Sequence, residues 1–414
     1  MNIGLFGARS SNSGLGTQTW EFYKNMNPAA TVVVDISKID GKRVYPERFM
    51  GSNVVTYDGF PRDKFIDDWL AENKNLDVIF CCEIPYNYYL FTAARKLGIR
   101  TVLQYNYEFL DYIPKPSLPY PDVLASPSIW HIEDVQARYW AKTKVDLLQV
   151  PVNTSLIERR FVSKLNTFVH VAGYELHEDR NGTNALLDAI PHVKSDVKFI
   201  IYSQHKIPTL IDSRVSTRAT DFDNYWDLYS CGDALIYPRR YGGLTLPAQE
   251  AVAAGMLVSM PKVSPNFHNS HLLSQINISG MKKTKMRCGE IDYATFDPLE
   301  LAAHIDRLHG YSVFTVAEIC DHQYERLPKW DDYRNVYLEY FRNTKVFSND
   351  VTPVCVSEVN NLKVAKVKIL RTFSRKSKTV SYGQELFFDL QEAKQHESRH
   401  NVQILEILDA PKDA

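Results

Sequence analysis

The stretch 225–265, YWDLYSCGDALIYPRRYGGLTLPAQEAVAAGMLVSMPKVSP, leaves this chain few choices of fold. A short helical segment at 225–230 leads into an apolar strand at 234–237. A glycine-rich turn follows at 241–247, then a helix at 248–254 closed by Gly255, then a second apolar strand at 256–260. A strand, a turn, a helix and a strand in that order make a parallel βαβ unit, whose ligands sit at the carboxyl ends of the strands. The helix N-terminus beside Gly242 and Gly243 offers unpaired N–H groups, which suit a diphosphate or sugar hydroxyls. Glu250, one turn into the helix, can accept hydrogen bonds from two vicinal ribose hydroxyls.

The same alternation runs through most of the 414 residues. Strands are expected at 2–6, 31–35, 77–82, 101–105, 123–126 and 147–151, with helices at 17–26, 87–97 and 132–141. Runs such as 77–82 are apolar on both sides, as in a parallel sheet covered by helices. After a linker broken by Pro151, a second block begins, with strands at 167–172 and 197–202, a helix at 183–190 and the segment described above. This reads as α/β with two Rossmann-like domains, 1–155 and 156–345, and a late helix near 330–341. From about residue 352 the pattern changes to short strands at 362–370, 379–380, 386–389 and 402–408, with a helical stretch at 391–400. Residues 346–414 are therefore read as a small β-rich module of SH3-like type.

Composition bounds the rest. A net charge of -1 exerts no global pull toward nucleic acid or acidic membranes. The six cysteines (Cys81, Cys82, Cys231, Cys288, Cys320 and Cys355) show no CxxC pairs, and Cys81, Cys82 and Cys231 sit in or beside apolar elements as buried thiols do. A reducing compartment and no metal site are expected. The opening MNIGLFGARS reads as a strand and turn rather than a signal peptide, and no apolar run is long enough to span a membrane. A soluble cytoplasmic protein is expected.

The segment at 241–255 resembles the donor site of GT-B-fold glycosyltransferases, in particular the retaining group called glycosyltransferase family 4. Tyr241, Gly243, Leu246, Pro247, Glu250, Ala251, Ala253 and Gly255 match the family pattern in register. Gly242 stands where the family has its first glutamate, which contacts the transferred sugar, and Thr245 stands where it has a second glycine. The resemblance implies two facing domains with a cleft between them. It implies donor contacts from the turn Gly242, Gly243, Leu244, Thr245 and Leu246 and from Glu250. The Gly14-Leu15-Gly16 turn after the first strand corresponds to the family's Gly-x-Gly, with Gly16 expected to approach the donor from the other domain on closure.

The family meets phosphate charge with an arginine and a lysine after the first strand of the second domain. Here Tyr174 and Asn181 occupy those positions, with Arg180 alongside. One phosphate-binding arginine is expected among Arg180, Arg239 and Arg240. On the acceptor side, Asn106 falls where the family often has a histidine, and Glu108 is placed to orient or deprotonate a hydroxyl. Glu83, Tyr86 and Tyr107 lie near strand carboxyl ends and would line the acceptor side, although any single aromatic there is equally read as packing. The Asp221-Phe222-Asp223 triplet spells a metal-binding pattern of another fold, but capping of the following helix by Asp223 is the expected role.

The implied reaction moves a hexose such as glucose from a nucleotide sugar, with UDP-sugar expected, to a hydroxyl with retention and without a metal or resident cofactor. The opening GLFGARSSNSGLGTQTWEFYKNM also looks like glycosyltransferases encoded by bacteriophages. That likeness implies an acceptor in phage DNA (a hydroxymethylated pyrimidine) or on a virion protein, and the host cytoplasm as location. A surface glycan and a non-catalytic nucleotide-sugar-binding role are the alternatives. The basic run Lys363, Lys366, Lys368, Arg371, Arg375, Lys376 and Lys378 is read either as a phosphate-backbone contact or as a solvated strand edge.

Overall fold

The computed structural model describes residues 1–112, 119–139, 141–173, 178–205, 207–208, 210–218, 222–266, 274–286 and 289–347, and the C-terminal strands at 363–369, 373–375, 378–380, 385–389 and 402–409. The chain folds as two compact units, residues 1–132 with 143–347, and residues 133–142 with 348–414.

The larger unit holds two α/β lobes. In the first, β1 (Ile3–Ala8), β2 (Ala30–Asp35), β3 (Val54–Asp58), β4 (Val78–Cys82), β5 (Arg100–Gln104), β6 (Val123–Ser126) and β7 (Lys144–Leu147) form one sheet. Its order is β3-β2-β1-β4-β5-β6-β7, and every neighbouring pair is parallel. Helices α1 (Gly14–Met26), α2 (Ser37–Asp40), α3 (Asp63–Glu72) and α4 (Tyr89–Lys96) lie between these strands in sequence, and α5 (Ile132–Tyr139) runs from the larger unit into the smaller. The fully buried strands β1 and β4 are the continuous apolar runs visible in the sequence. The edge strand β3 is mostly exposed, so it carries no such run and escapes a pattern search. The strand expected at 147–151 is displaced. Pairing with β6 uses Lys144–Leu147, whereas Leu148, Val150 and Val152 are apolar because the linker itself is buried.

The second lobe repeats the plan with β8 (Thr167–Gly173), β9 (Lys198–Ser203), β10 (Val215–Arg218), β11 (Ala234–Ile236), β12 (Leu257–Pro261) and β13 (Ser274–Ile276) in the order β10-β9-β8-β11-β12-β13, again parallel. Helices α6 (Thr183–Ala189) and α7 (Leu246–Ala253) follow β8 and β11. The segment at 225–230 forms a short 3-10 helix, Tyr225–Tyr229. Asp223 does not cap it; its carboxylate pairs with Arg43 of the first lobe at 3.2 Å, and Asp221 lies outside the described residues. An antiparallel hairpin, β14 (Gly280–Met286) with β15 (Gly289–Thr295), precedes α8 (Pro298–His309) and α9 (Val313–Glu325). Cys231, expected to be buried, is exposed, because it lies in the turn before β11 rather than within the strand.

Helix α10 (Trp330–Asn343) returns to the first lobe. The two crossings between lobes meet at one point. Val152 bridges Lys329 in parallel, the Val152 amide donates to Pro328 O at 3.0 Å, and the Trp330 amide donates to Val152 O at 3.2 Å. Trp330, Tyr337 and Phe341 then pack on Phe22 and Phe80 of the first lobe, with ring centroids 5.5–6.2 Å apart. Phe341 is fully buried there. Truncation by Phe341→Ala is expected to cost about 3–5 kcal/mol, read as a lower midpoint in denaturant unfolding.

In the smaller unit β16 (Lys363–Ile369) is the centre of a three-stranded antiparallel sheet, between β19 (Glu385–Asp389) and β20 (Val402–Asp409), while β17 (Phe373–Arg375) and β18 (Lys378–Val380) make a separate hairpin. The helical stretch expected at 391–400 lies outside the described residues. The register also corrects the reading of the basic run. Lys363, Lys366 and Lys368 lie on a central strand rather than an edge, opposite Asp409, Glu406 and Glu385 respectively. Among the described residues no helix is long and apolar enough to cross a membrane.

Candidate functional site

The residues with unusual chemistry converge where the carboxyl ends of the two parallel sheets meet. From the first lobe come Glu83 after β4, and Asn106 and Glu108 after β5; from the second come Arg180 after β8 and Arg239 after β11. The Arg180 guanidinium donates to Glu108 Oε1 across the lobe boundary, and Arg239 Nη2 stands 3.9 Å from the same oxygen. Asn106 Nδ2 donates to Glu83 Oε1 at 3.0 Å. Burial raises the Glu83 carboxyl above its ordinary range, partly offset by that hydrogen bond, and the charge of Glu108 pushes it further up. Glu83 and Tyr86 both adopt left-handed backbone, with φ of 61° and 62°. Such strain in non-glycine residues persists only where the surroundings hold it, and it clusters at functional sites.

Arg239 is the most constrained member. It is only 4 % exposed. Its Nε donates to Tyr241 O at 2.9 Å, and its Nη1 donates to Leu244 O at 2.6 Å and Thr245 Oγ1 at 2.7 Å. The glycine-rich turn is thus wrapped around a guanidinium. Gly242 has φ of +126°, and a Cβ there would come within 2.1 Å of Arg239 Nη2. A side chain at this φ would be strained, and it would have to displace the guanidinium that the turn holds. Burial first, and then the charge of Arg180, pull the Arg239 pKa down to about 10. Arg239 Nη2, Arg180 Nε and Glu108 Oε2 are buried without a hydrogen-bond partner among the described residues. Two guanidiniums face one carboxylate, with orphan donors beside an orphan acceptor. Such an arrangement can hold an anion and a hydroxyl together.

Several expected contacts are arranged differently. Gly16 packs within its own lobe: a Cβ there would come within 1.9 Å of Ser11 O, and its amide donates to Ser13 Oγ at 3.2 Å, capping α1. Gly14 faces the second lobe instead, towards Leu246, while Leu15 packs partly buried against the first-lobe core. Gly243 lies against Ser128 and Trp130 of the first lobe. The N-terminus of α7 offers fewer donors than expected, because Pro247 has no N–H and the amides of Ala248 and Gln249 bond to Thr245 O. Arg240 turns away from the cluster. Its Nη1 donates to Glu178 O at 3.2 Å, its Nε lies 3.8 Å from Asp179, and its guanidinium sits over Tyr293 of the hairpin. Tyr107 is buried in a stack with His131 at 4.2 Å and against Trp130, which makes it packing rather than an open acceptor surface. Tyr86 accepts from Arg9 Nη1 at 3.4 Å, and Arg9 pairs with Asp40 at 2.8 Å, a first-lobe polar group that no sequence pattern singled out. Tyr174 lies outside the described residues.

Glu250 is 6 % exposed and accepts from Tyr229 Oη at 2.5 Å. Burial, together with the nearby Glu21 carboxylate, raises its pKa to about 8 against the opposing effect of the Tyr229 bond. Glu21 on α1 is raised to about 7 by burial, against hydrogen bonds from Tyr225 and Trp330. Among the described residues no group of histidine, cysteine and carboxylate side chains could hold a metal ion.

With this geometry in place, comparison with known proteins is informative about fold. No protein-family model matches the sequence, and no curated protein matches it. Solved structures do match: HepE of Anabaena in complex with UDP and glucose, at 10 % identity and TM-score 0.56, covers 83 % of this chain and 99 % of its own. Sucrose-phosphate synthase from Thermosynechococcus elongatus matches at 12 % identity and TM-score 0.57, over 83 % and 98 %. Trehalose-6-phosphate synthase OtsA matches at 10 % identity and TM-score 0.56, over 82 % and 98 %. These neighbours are GT-B glycosyltransferases. The fold is GT-B.

The raised carboxyls give a pH prediction. Both Glu21 and Glu250 hold a proton in the folded state that the unfolded chain releases near its ordinary carboxylate value. Stability is therefore complete below that value and is lost as pH rises through about 7 and 8, by at most about 1.4 kcal/mol per pH unit for each group. Melting temperature should fall between pH 5 and pH 8, and Glu250→Gln should flatten the slope. A rising melting temperature over that range would contradict the assignment.

Proposed function

We propose that this protein is a glycosyltransferase that moves a hexose such as glucose from UDP-sugar to an acceptor hydroxyl. The observation that carries the reading is the interlobe cluster in which Arg180 and Arg239 share Glu108 and leave orphan polar atoms at the carboxyl ends of both sheets. The fold it shares with HepE, solved with UDP and glucose, supports the same reading.

In this reading Arg180 and Arg239 give up part of their pairing to the leaving diphosphate, whose developing charge they stabilise in a buried site already preorganised for it. The turn Gly242–Leu246, shaped around Arg239, holds the sugar and phosphate. Glu250 binds the ribose hydroxyls. Glu108 orients the acceptor hydroxyl with its free oxygen and moves its proton, and Asn106 with Glu83 borders it on the first-lobe side. Attack on the same face as the leaving group gives retention, and catalysis rests on placement of the two reacting groups. The guanidiniums supply the charge that a divalent metal supplies elsewhere, so the reaction is metal-independent. The acceptor is a hydroxyl of the kind implied by the phage likeness, on a DNA pyrimidine or a virion protein.

Release of UDP from UDP-glucose tests the proposal. Wild-type protein should release UDP with or without EDTA. Arg180→Ala should lower the rate by about 100-fold or more, as removal of a preorganised donor to a developing anion does. Absence of UDP release from every common hexose donor, together with no UDP binding, would leave the catalytic reading without support.

A further inference from the structure

Glu21 is not part of the cluster, yet it is 2 % exposed and both of its oxygens are bonded to other elements. It sits on α1 of the first lobe. Oε2 accepts from Trp330 Nε1 at 3.2 Å, where α10 begins, and a backbone hydrogen bond arrives from Asn153 in the linker. These two partners belong to the crossing point, where Val152 and Lys329 bridge, and Trp330 packs in the first-lobe core. Oε1 accepts from Tyr225 Oη, on the 3-10 helix of the second lobe. One turn further along that short helix, Tyr229 donates to Glu250. The neighbouring Trp20 stacks on Trp226 at 6.1 Å and meets Tyr225 edge-on at 6.4 Å.

We propose that Glu21 is a positioning residue which couples closure of the two lobes to the placement of Glu250, through the 3-10 helix bearing Tyr225 and Tyr229. This rests on the reading of Glu250 as the nucleotide contact. Of the three groups that bond to the Glu21 carboxyl, only Tyr225 is carried by the second lobe. Opening about the Val152–Lys329 point would therefore break the Tyr225 bond and leave Trp330 and Asn153 in place. A carboxylate buried this deeply loses much when it loses a donor, so the closed arrangement is favoured whenever Tyr225 is docked. Docking also fixes the 3-10 helix, and with it the Tyr229 hydroxyl that orients Glu250. Ionisation of Glu21 opposes ionisation of Glu250, so the two buried carboxyls are coupled.

The experiment uses the full chain, with Tyr225→Phe, Glu21→Gln and Glu21→Ala beside wild type, and UDP as the probe. Small-angle scattering of the unliganded proteins reads closure, and calorimetric titration reads UDP affinity. Tyr225→Phe keeps the ring packing and removes only the donor. It should increase the radius of gyration and weaken UDP binding about tenfold, with an unchanged far-UV spectrum. Glu21→Ala should do the same, and Glu21→Gln, which keeps one acceptor, should fall between Glu21→Ala and wild type. Wild-type scattering in Tyr225→Phe, or UDP binding as tight as wild type, overturns the coupling. Absence of UDP binding by the wild-type protein overturns the nucleotide reading instead; the scattering comparison then still decides whether Glu21 and Tyr225 hold the lobes closed.

Discussion

Everything at the candidate site depends on two chain crossings that meet at one place. The linker after the first lobe and the return into α10 bridge each other at Val152 and Lys329, and α10 then anchors in the first-lobe core through Trp330, Tyr337 and Phe341. Two parallel sheets joined by a single flexible tether would have no fixed relation. Joined twice at one point, with a buried aromatic helix as the anchor, they keep their carboxyl ends turned towards each other. That is why Glu108 from one lobe and Arg180 and Arg239 from the other can share one small volume. Each lobe alone would expose its charges to water, where they would be worth little.

The arrangement has an energetic signature. Burying two guanidiniums beside one carboxylate is unfavourable unless the remaining donors find partners. Arg239 recovers part of the cost by bonding the carbonyls and hydroxyl of its own turn, yet its last nitrogen stays unpartnered. A second buried polar group, Glu21 and Glu250, is satisfied by tyrosine hydroxyls and an indole as donors. The lobe boundary is thus held by polar groups whose satisfaction is incomplete at the site and more complete at the pivot. A boundary built this way can change its partners without unfolding either lobe.

Much of the fold was legible because buried parallel strands are continuous apolar runs. β1, β4, β8 and β12 lie within a residue or two of where the runs place them. Of the strands that escaped, β3 and β10 are mostly exposed edges, β13 is only three residues long and β14 with β15 forms a hairpin outside the parallel sheets; the run at 147–151 is apolar because a buried linker mimics a strand. Within the site, the polar and charged residues were visible from their positions after strand ends: Glu83, Asn106, Glu108, Arg180 and Arg239. Their partners were not. Nothing in sequence spacing distinguishes Arg239, folded under its turn, from Arg240 beside it, which turns to the hairpin. Alternation of side chains along irregular backbone is not periodic, so direction has to be seen. Glu21 and Tyr229 were equally silent, since a glutamate in a helix and a tyrosine in a short 3-10 turn are ordinary surface and core residues until another lobe closes over them.

The pairing of Gly242 with Arg239 bears on whether the site works at all. Replacement of a motif glutamate by glycine reads, in sequence alone, as loss. In three dimensions the glycine is what admits the guanidinium, since any Cβ at that position would collide with it. The missing carboxylate and the buried cation beneath the turn are thus one steric fact. A turn that had merely lost a side chain would collapse onto apolar neighbours or fill with water, because a buried charge lacking a full set of partners is the least favourable way to occupy such a space. Here the charge is retained, aligned by three hydrogen bonds and set beside a carboxylate whose second oxygen is also unspent. The guanidinium thus takes the space that a side chain at this position would enter, and its three bonds to the turn hold that segment in shape.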